Sequence, residues 1–170
     1  MMLRYRLFQF IICTLSLWLI SPSIKALEAK NISEKINEAN RALADWQLGK
    51  AKIIASELNA QLPDVPPVQA LVGSVKFHEG QYEEAVRLLQ RASEGGMAPP
   101  LLALAQSTYE ETKGYVEKRS AHFVMRVPPG KDELLFEKGL WALERAYQKI
   151  SDAYDFEPDH LIPVDVLDDP

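Results

Sequence analysis

Apolar and small residues recur at helical spacing through the first two thirds of the chain. This pattern predicts helices over Ser33–Trp46, Glu83–Ser93 and Leu101–Thr112. Ser33 has the side chain of an N-cap and is expected to begin the first of them. We therefore expect a fold that is mainly α.

The C-terminal third predicts a strand, a helix and a second strand. Apolar and polar residues alternate over His122–Val127, and Pro128-Pro129-Gly130 then signals a turn. A helix is expected over Glu133–Tyr154 with Asp132 as N-cap, and a short strand over Ile162–Leu167. The helix carries one apolar stripe, formed by Phe136, Leu140, Leu143, Tyr147, Ile150 and Tyr154. Residues 118–170 thus form a partial α+β unit of β-α-β type, with an expected sheet of only two strands.

The helical pattern repeats at a fixed interval of 34 residues. Residues 32–65 align with residues 66–99, and a partial third unit covers residues 100–115. Four packing positions coincide: Leu48 with Tyr82, Ala51 with Ala85, Ala55 with Leu89, and Leu58 with Ala92. Glycine at position 73 allows close approach of a neighbouring helix, and Gly80 ends a helix. Stacked hairpins of this kind bury a seam that neither buries alone.

The run Val72-Gly73, the turn Gly80-Gln81-Tyr82 and the small residue Ala85 resemble a tetratricopeptide repeat. The resemblance covers residues 32–115 and implies about two and a half helical hairpins. It also implies an inner groove lined by the first helix of each hairpin. The groove positions expected from the alignment are Ile36, Asn40, Leu43, Ala70, Ser74, Phe77, Leu104, Thr108 and Glu111.

The expected groove mixes polar and apolar side chains and carries little positive charge. A clamp for a peptide carboxylate would need Lys or Arg, so we expect an extended or helical apolar segment instead. The occupant is either a protein or peptide partner or the chain's own downstream domain. The sequence leaves both alternatives open.

The N-terminus resembles a secretory signal. Arg4 and Arg6 precede the uncharged apolar run Leu7–Ile20, and a polar break and the small residue Ala26 come after it. We expect residues 1–26 to be a signal peptide cleaved near Ala26, or else an N-terminal anchor. Export to the periplasm or the extracellular space is therefore expected. Membrane contact is expected only through residues 7–20, in the inner membrane, if the signal is retained.

A second resemblance concerns residues 118–170. The segment 120–130, the helix through Leu140–Tyr154 and the strand Val164–Leu167 resemble the opening of the peptidase MA-like domain of gluzincin-type metalloproteases. That family implies zinc held by a His-Glu-x-x-His signature. In the family this signature lies downstream of position 170, so the chain is expected to be a fragment or a truncated, inactive form.

The histidines of this chain do not form that signature. His78, His122 and His160 are all the histidines present, and none lies four residues from another. We therefore assign no catalytic residue, no metal ligand and no cofactor, with zinc expected only in a full-length form. Ser120 and His122 lack an identified orienting acid. Three acidic residues near the end of the chain are read as a solvated strand end, namely Asp165, Asp168 and Asp169.

Composition narrows the function further. The net charge of −5 excludes a general phosphate-binding surface, so no nucleic-acid partner is expected. Trp46 and Trp141 are expected to lie in the core. The sequence favours an exported protein-interaction module built on tetratricopeptide repeats. The alternatives are the N-terminal fragment of a repeat-containing zinc metallopeptidase, whose active site lies beyond residue 170, and a structural spacer.

Overall fold

The computed structural model describes residues 21–130 and 133–167 of the chain. The elements are α1 (Ser21–Ala44), α2 (Leu48–Gln61), α3 (Pro66–His78), α4 (Tyr82–Glu94), α5 (Leu102–Thr112), β1 (Val116–Arg119), β2 (Phe123–Val127), α6 (Glu133–Tyr154) and β3 (Ile162–Asp165). The prediction of a mainly helical fold with a small sheet is confirmed. The expected signal run at residues 7–20 and the expected cap Asp132 lie outside the described residues.

The first five helices pack as successive neighbours. Helix α1 packs on α2, α2 on α3, α3 on α4 and α4 on α5, and α1 also contacts α3. Small side chains at the crossings allow this close packing, since Ala39, Ala51, Ala85 and Ala105 are all fully buried. The first core cluster contains Ala39, Ala42, Leu48, Ala51, Ala55, Leu58, Val68, Leu71 and Val75.

The backbone itself recurs every 34 residues at the turns after α1, α3 and α5. These helices end at Ala44, His78 and Thr112. Two positions after each end, a residue adopts the left-handed conformation, with φ of 58° at Trp46, 72° at Gly80 and 83° at Gly114. The left-handed residue therefore recurs at all three turns, although the third turn differs in detail, since Lys113 before it is extended whereas Glu79 is helical.

The residue after each of the first two turns repeats as closely. Gln47 has φ −88° and ψ 63°, and Gln81 has φ −90° and ψ 65°. Each donates its N–H across the turn over 2.8 Å, Gln47 to the carbonyl of Ala42 and Gln81 to that of Lys76. Ala51 and Ala85 then occupy the same fully buried place, four residues into α2 and α4. Their environments are equivalent.

The expected start of the first helix is wrong. Helix α1 runs unbroken from Ser21, so Ser33 is an exposed residue in its interior rather than its N-cap. The helix also crosses the expected signal boundary at residue 26. Pro22 does not interrupt it, because a proline in the first turn loses no helical hydrogen bond.

The two tryptophans expected in the core are exposed. Trp141 keeps 62% of its surface in water and Trp46 keeps 71%. At Trp46 the reason is the turn: the left-handed conformation turns the residue out of the helix and costs a non-glycine residue about 1–2 kcal/mol. At Trp141 the reason is the helix face, since α6 packs against the sheet through the opposite side.

Among the described residues, the sheet has three strands rather than the expected two. Its order is β1-β2-β3, with β1 antiparallel and β3 parallel to β2. Strand β1 escaped prediction because all four of its residues are exposed and only Val116 is apolar. It is held by backbone pairing in the register Val116 to Val127. The β-α-β order of β2, α6 and β3 agrees with the sequence.

Helix α6 covers one face of the sheet. Phe123, Met125 and Val127 point toward it and pack against Phe136 and Leu140. Gly139 leaves room for the Met125 side chain, because a Cβ there would lie 2.9 Å from the Met125 methyl, which would have to shift. The end of the predicted apolar stripe extends past the short strands, so Ile150 and Tyr154 stay exposed.

The other face of the sheet lies against the helical repeats. Glu117, Arg126 and Asp165 form a row across the three strands, and Arg126 Nη1 lies 3.2 Å from Asp165 Oδ1. The Arg126 guanidinium sits 4.9 Å from the Tyr82 ring centre, and the Tyr82 hydroxyl donates to Asp165. Gly80 makes room for this contact, since a Cβ there would lie 2.1 Å from Arg126 Nη2.

Removing the buried cation should destabilise the sheet and its contact with Tyr82. We expect Arg126→Ala to lower the free energy of unfolding by about 3–5 kcal/mol, because Asp165 and Glu117 are left without their cation. Urea unfolding measures the change. Arg119→Ala removes an exposed arginine of the same sheet and should cost less than about 0.5 kcal/mol. Equal losses in the two variants would contradict this account of the interface.

Enlarging a repeated small residue should disrupt the helix crossing. We expect Ala85→Leu to destabilise the chain by about 1–3 kcal/mol, because a fully buried alanine has no free space around it. Ala60→Leu places the same side chain at an exposed position of α2 and serves as the control. A neutral Ala85→Leu in chemical denaturation would show that the crossing is not close-packed.

Candidate functional site

A cleft of about 450 Å³ lies where the turns that follow α1 and α3 meet the loop between α6 and β3. No Asp, Glu, Lys or Arg side chain is among the described residues that line it. The lining is aliphatic, aromatic and imidazole in character: Leu43, Trp46, Leu48, Phe77, His78, Tyr82, Phe156, Pro158, His160, Ile162 and Pro163. Its surface is therefore suited to an uncharged, largely apolar ligand.

Aromatic rings in the cleft are ordered by edge contacts. Phe77 contacts Tyr82 at 5.3 Å between ring centres and His78 at 5.9 Å. His78 in turn meets the exposed Trp46 ring edge-on at 6.0 Å. Burial lowers the pKa of His78, and the nearby His160 lowers it further. His78 is thus mainly neutral at neutral pH, so the wall it forms carries no charge there.

The loop that closes the cleft is anchored to the start of α2. The N–H of Gly49 donates to the Asp159 carboxylate, where the first turn of a helix offers unpaired donors. Glycine keeps this contact in place, because a Cβ at position 49 would lie 1.7 Å from Asp159 Oδ2 and would displace the carboxylate. Asp159 Oδ1 also lies 2.9 Å from His160 Nδ1, and that hydrogen bond is the main cause of its lowered pKa. One carboxylate therefore holds both His160 and α2.

Two of the nine predicted groove residues, Leu43 and Phe77, line this cleft. The other seven do not. Ile36 packs against the first core cluster, Ser74 donates to the Ala70 carbonyl, and Thr108 accepts from Thr112 through its carbonyl. Three of them are exposed, namely Asn40, Leu104 and Glu111.

Most of the cleft is lined by residues that were not among the predicted groove residues. Trp46, Tyr82 and Phe156 contribute rings, and Phe156 is 53% exposed at the rim. The repeat alignment could have singled out Trp46, because it pairs this tryptophan with Gly80 of the next repeat. A bulky ring at the position of a helix-ending glycine is unusual. Nothing in the local pattern marks Phe156 or His160, because their place depends on the distant contact with α2.

A second polar cluster lies at the hairpin between β1 and β2. Glu144 of α6 accepts from the Ser120 hydroxyl at 2.6 Å and from the His122 backbone N–H at 2.9 Å. Its other oxygen lies 2.7 Å from His122 Nδ1. The sequence analysis identified no acid for Ser120 and His122. The structure places Glu144, which lies 22 residues after His122, against both. The serine hydroxyl is directed to the carboxylate rather than to the imidazole, which is not the arrangement of an activated nucleophile.

This cluster holds the hairpin against α6. The His122 ring stacks on Tyr147 with ring centres 3.8 Å apart. Burial alone raises the pKa of the Glu144 carboxyl, but the hydrogen bonds from His122 and Ser120 outweigh it and lower the pKa to about 2. The carboxylate is therefore ionised at all ordinary pH values and serves as a structural acceptor.

Within residues 21–130 and 133–167, no group of three or more His, Cys, Asp or Glu side chains is placed to hold a metal ion. Over the same part of the chain, every helix is too short or too polar to cross a membrane. No protein-family model, no curated protein and no solved structure matches this chain. The functional argument therefore depends on the geometry of the cleft.

The lowered pKa of Glu144 makes stability depend on pH in the acidic range. Its contribution is present above the unfolded pKa of about 4.5 and is lost as the pH falls toward 2. We expect Glu144→Gln to cost about 1.5 kcal/mol at pH 7, the low end for a hydrogen bond to a charged group, because water still reaches the carboxylate.

Urea unfolding at pH 7 and pH 3 measures this difference. The gap between the original chain and Glu144→Gln should narrow at the lower pH. Glu137→Gln, at an exposed position of the same helix, should show no such narrowing. A gap that stays constant between the two pH values would refute the assigned role of Glu144.

Proposed function

We propose that this chain is an exported protein-interaction module built on tetratricopeptide-like hairpins, and that the cleft binds a segment of a partner protein. The single observation that carries the proposal is the cleft itself, whose described lining consists of rings and aliphatic side chains and includes no Asp, Glu, Lys or Arg. Trp46 and Phe156 are exposed together at this cleft, and clustered exposed apolar side chains mark interaction sites.

The repeat geometry supports the tetratricopeptide assignment. The turns at Trp46, Gly80 and Gly114 recur at the 34-residue interval typical of that family, and the buried alanines Ala51 and Ala85 take equivalent places. Arrays of this type present concave surfaces that bind extended segments. The expected export rests on the residue pattern at 1–26 alone.

The metallopeptidase alternative is favoured by the β2-α6-β3 order, which is the order that the resemblance implies. On that proposal the cleft would hold substrate for a catalytic domain. Both proposals require the cleft to bind a polypeptide, so one binding experiment tests the step they share.

Selection from a displayed random peptide library should yield peptides that bind the full chain. We expect the selected sequences to be rich in apolar and ring-bearing residues and poor in charge, because no charged side chain is among the described residues of the lining. Phe156→Glu should weaken their binding at least tenfold, since it places a carboxylate on the apolar rim. Isothermal titration measures the affinities.

Trp141→Ala is the matched control, because it removes an exposed ring from α6 away from the cleft. It should change the affinity less than twofold. Failure to select any peptide, or peptides whose binding ignores Phe156→Glu, would contradict the proposed function.

A further inference from the structure

Trp46 is a large side chain in a conformation that favours glycine. Its φ of 58° matches the 72° of Gly80, which occupies the equivalent place one repeat later. Gly80 there makes room for Arg126. Stability alone would favour glycine at both positions, because a left-handed backbone strains any residue with a Cβ. The indole does not offset the strain by burial, since 71% of it is exposed.

The indole nevertheless contacts the rings that line the cleft. His78 meets it edge-on, with an angle of 80° between the ring planes, and Phe77 supports His78 in the same way at 83°. Residues with a strained backbone cluster at ligand-binding sites. Because Trp46 lines the cleft, a ligand that enters it meets this ring.

We propose that Trp46 anchors a proline-rich, uncharged segment of a partner protein, which lies in the cleft in the polyproline II conformation. This inference rests on the proposed function and names the class of its ligand. The indole stacks on a pyrrolidine ring of the segment and its N–H donates to a backbone carbonyl. Such segments have unpaired carbonyls and low conformational entropy, and they dock on aromatic-lined grooves.

The cleft favours this class over a segment that adds a strand to the sheet. The N–H groups of Ile162 and Val166 bond to β2, so position 163 faces the open edge of β3. That position is a proline, which has no N–H to offer an incoming strand. Flat rings are instead what the cleft presents, from Trp46, Tyr82 and Phe156.

Three substitutions of Trp46 separate the contribution of the indole ring from that of the strained backbone. Trp46→Ala removes the ring and keeps the strained Cβ, Trp46→Gly removes both, and Trp46→Phe keeps a ring and the strain. We expect Trp46→Gly to fold with an equilibrium constant about fivefold larger than Trp46→Ala, measured by urea unfolding. Equal stability of the two variants would refute the argument from strain.

The binding probe is an acetylated and amidated decaproline peptide, titrated into the full chain by calorimetry. We expect it to bind, with affinity lowered at least tenfold in Trp46→Ala and Trp46→Gly and less than fivefold in Trp46→Phe. Trp141→Ala should leave the affinity within twofold. Unchanged binding in Trp46→Ala would overturn the anchor role.

Other outcomes distinguish this inference from the proposed function. If library peptides bind but decaproline does not, the ligand class is wrong and the interaction module stands. If neither binds, both proposals fall. If Trp46→Ala abolishes a self-association seen by sedimentation, the occupant is a second copy of the chain and this inference is overturned.

Discussion

The buried guanidinium of Arg126 is the contact on which the arrangement of the two units depends. It is 11% exposed, and a cation in such a place is stable only with close partners. Its partners come from Glu117, Asp165 and the ring of Tyr82, that is, from both edge strands and from the second helix of a repeat. Because both carboxylates belong to the sheet and Tyr82 belongs to the repeats, the guanidinium links the two units.

The same interface fixes the protonation of Tyr82. Burial is the largest cause that raises the pKa of its hydroxyl, to about 12, and the hydrogen bond to Asp165 adds to it. The hydroxyl thus stays a donor over the whole physiological range. Arg126 opposes this rise, because a nearby cation favours the phenolate. Tyr82 therefore makes a ring contact and a hydrogen bond to the sheet at once, and it also lines the cleft.

One repeated turn serves three purposes in this chain. At Gly114 the left-handed residue leads into β1, at Gly80 it admits the guanidinium of Arg126, and at Trp46 it points an indole to the cleft. The first two turns share their hydrogen bonds and differ in the side chain, whereas the third also differs in backbone, because Lys113 is extended. A repeat can thus change its local role without disturbing the crossings at Ala51 and Ala85.

Residue spacing predicted the features that periodic burial controls. The helices, the 34-residue interval, strand β2 and the first part of the α6 stripe all follow from apolar spacing. Strand β1 could not be predicted, because an exposed edge strand is held by backbone hydrogen bonds that leave no apolar pattern. Glu144 was missed for a different reason, since its partners Ser120 and His122 lie on a hairpin distant in sequence.

The cleft was predicted least well because two distant segments build it. One wall comes from the turns after α1 and α3, and the other from the loop that Asp159 anchors at Gly49. A ligand that fills the cleft contacts both walls and so binds only the docked arrangement. By linkage, such a ligand must stabilise the docking of the loop on α2 as well as the fold of each unit. Ligand binding and the assembly of the two units are therefore coupled equilibria. Arg126 contributes contacts at one part of the interface and Asp159 at another.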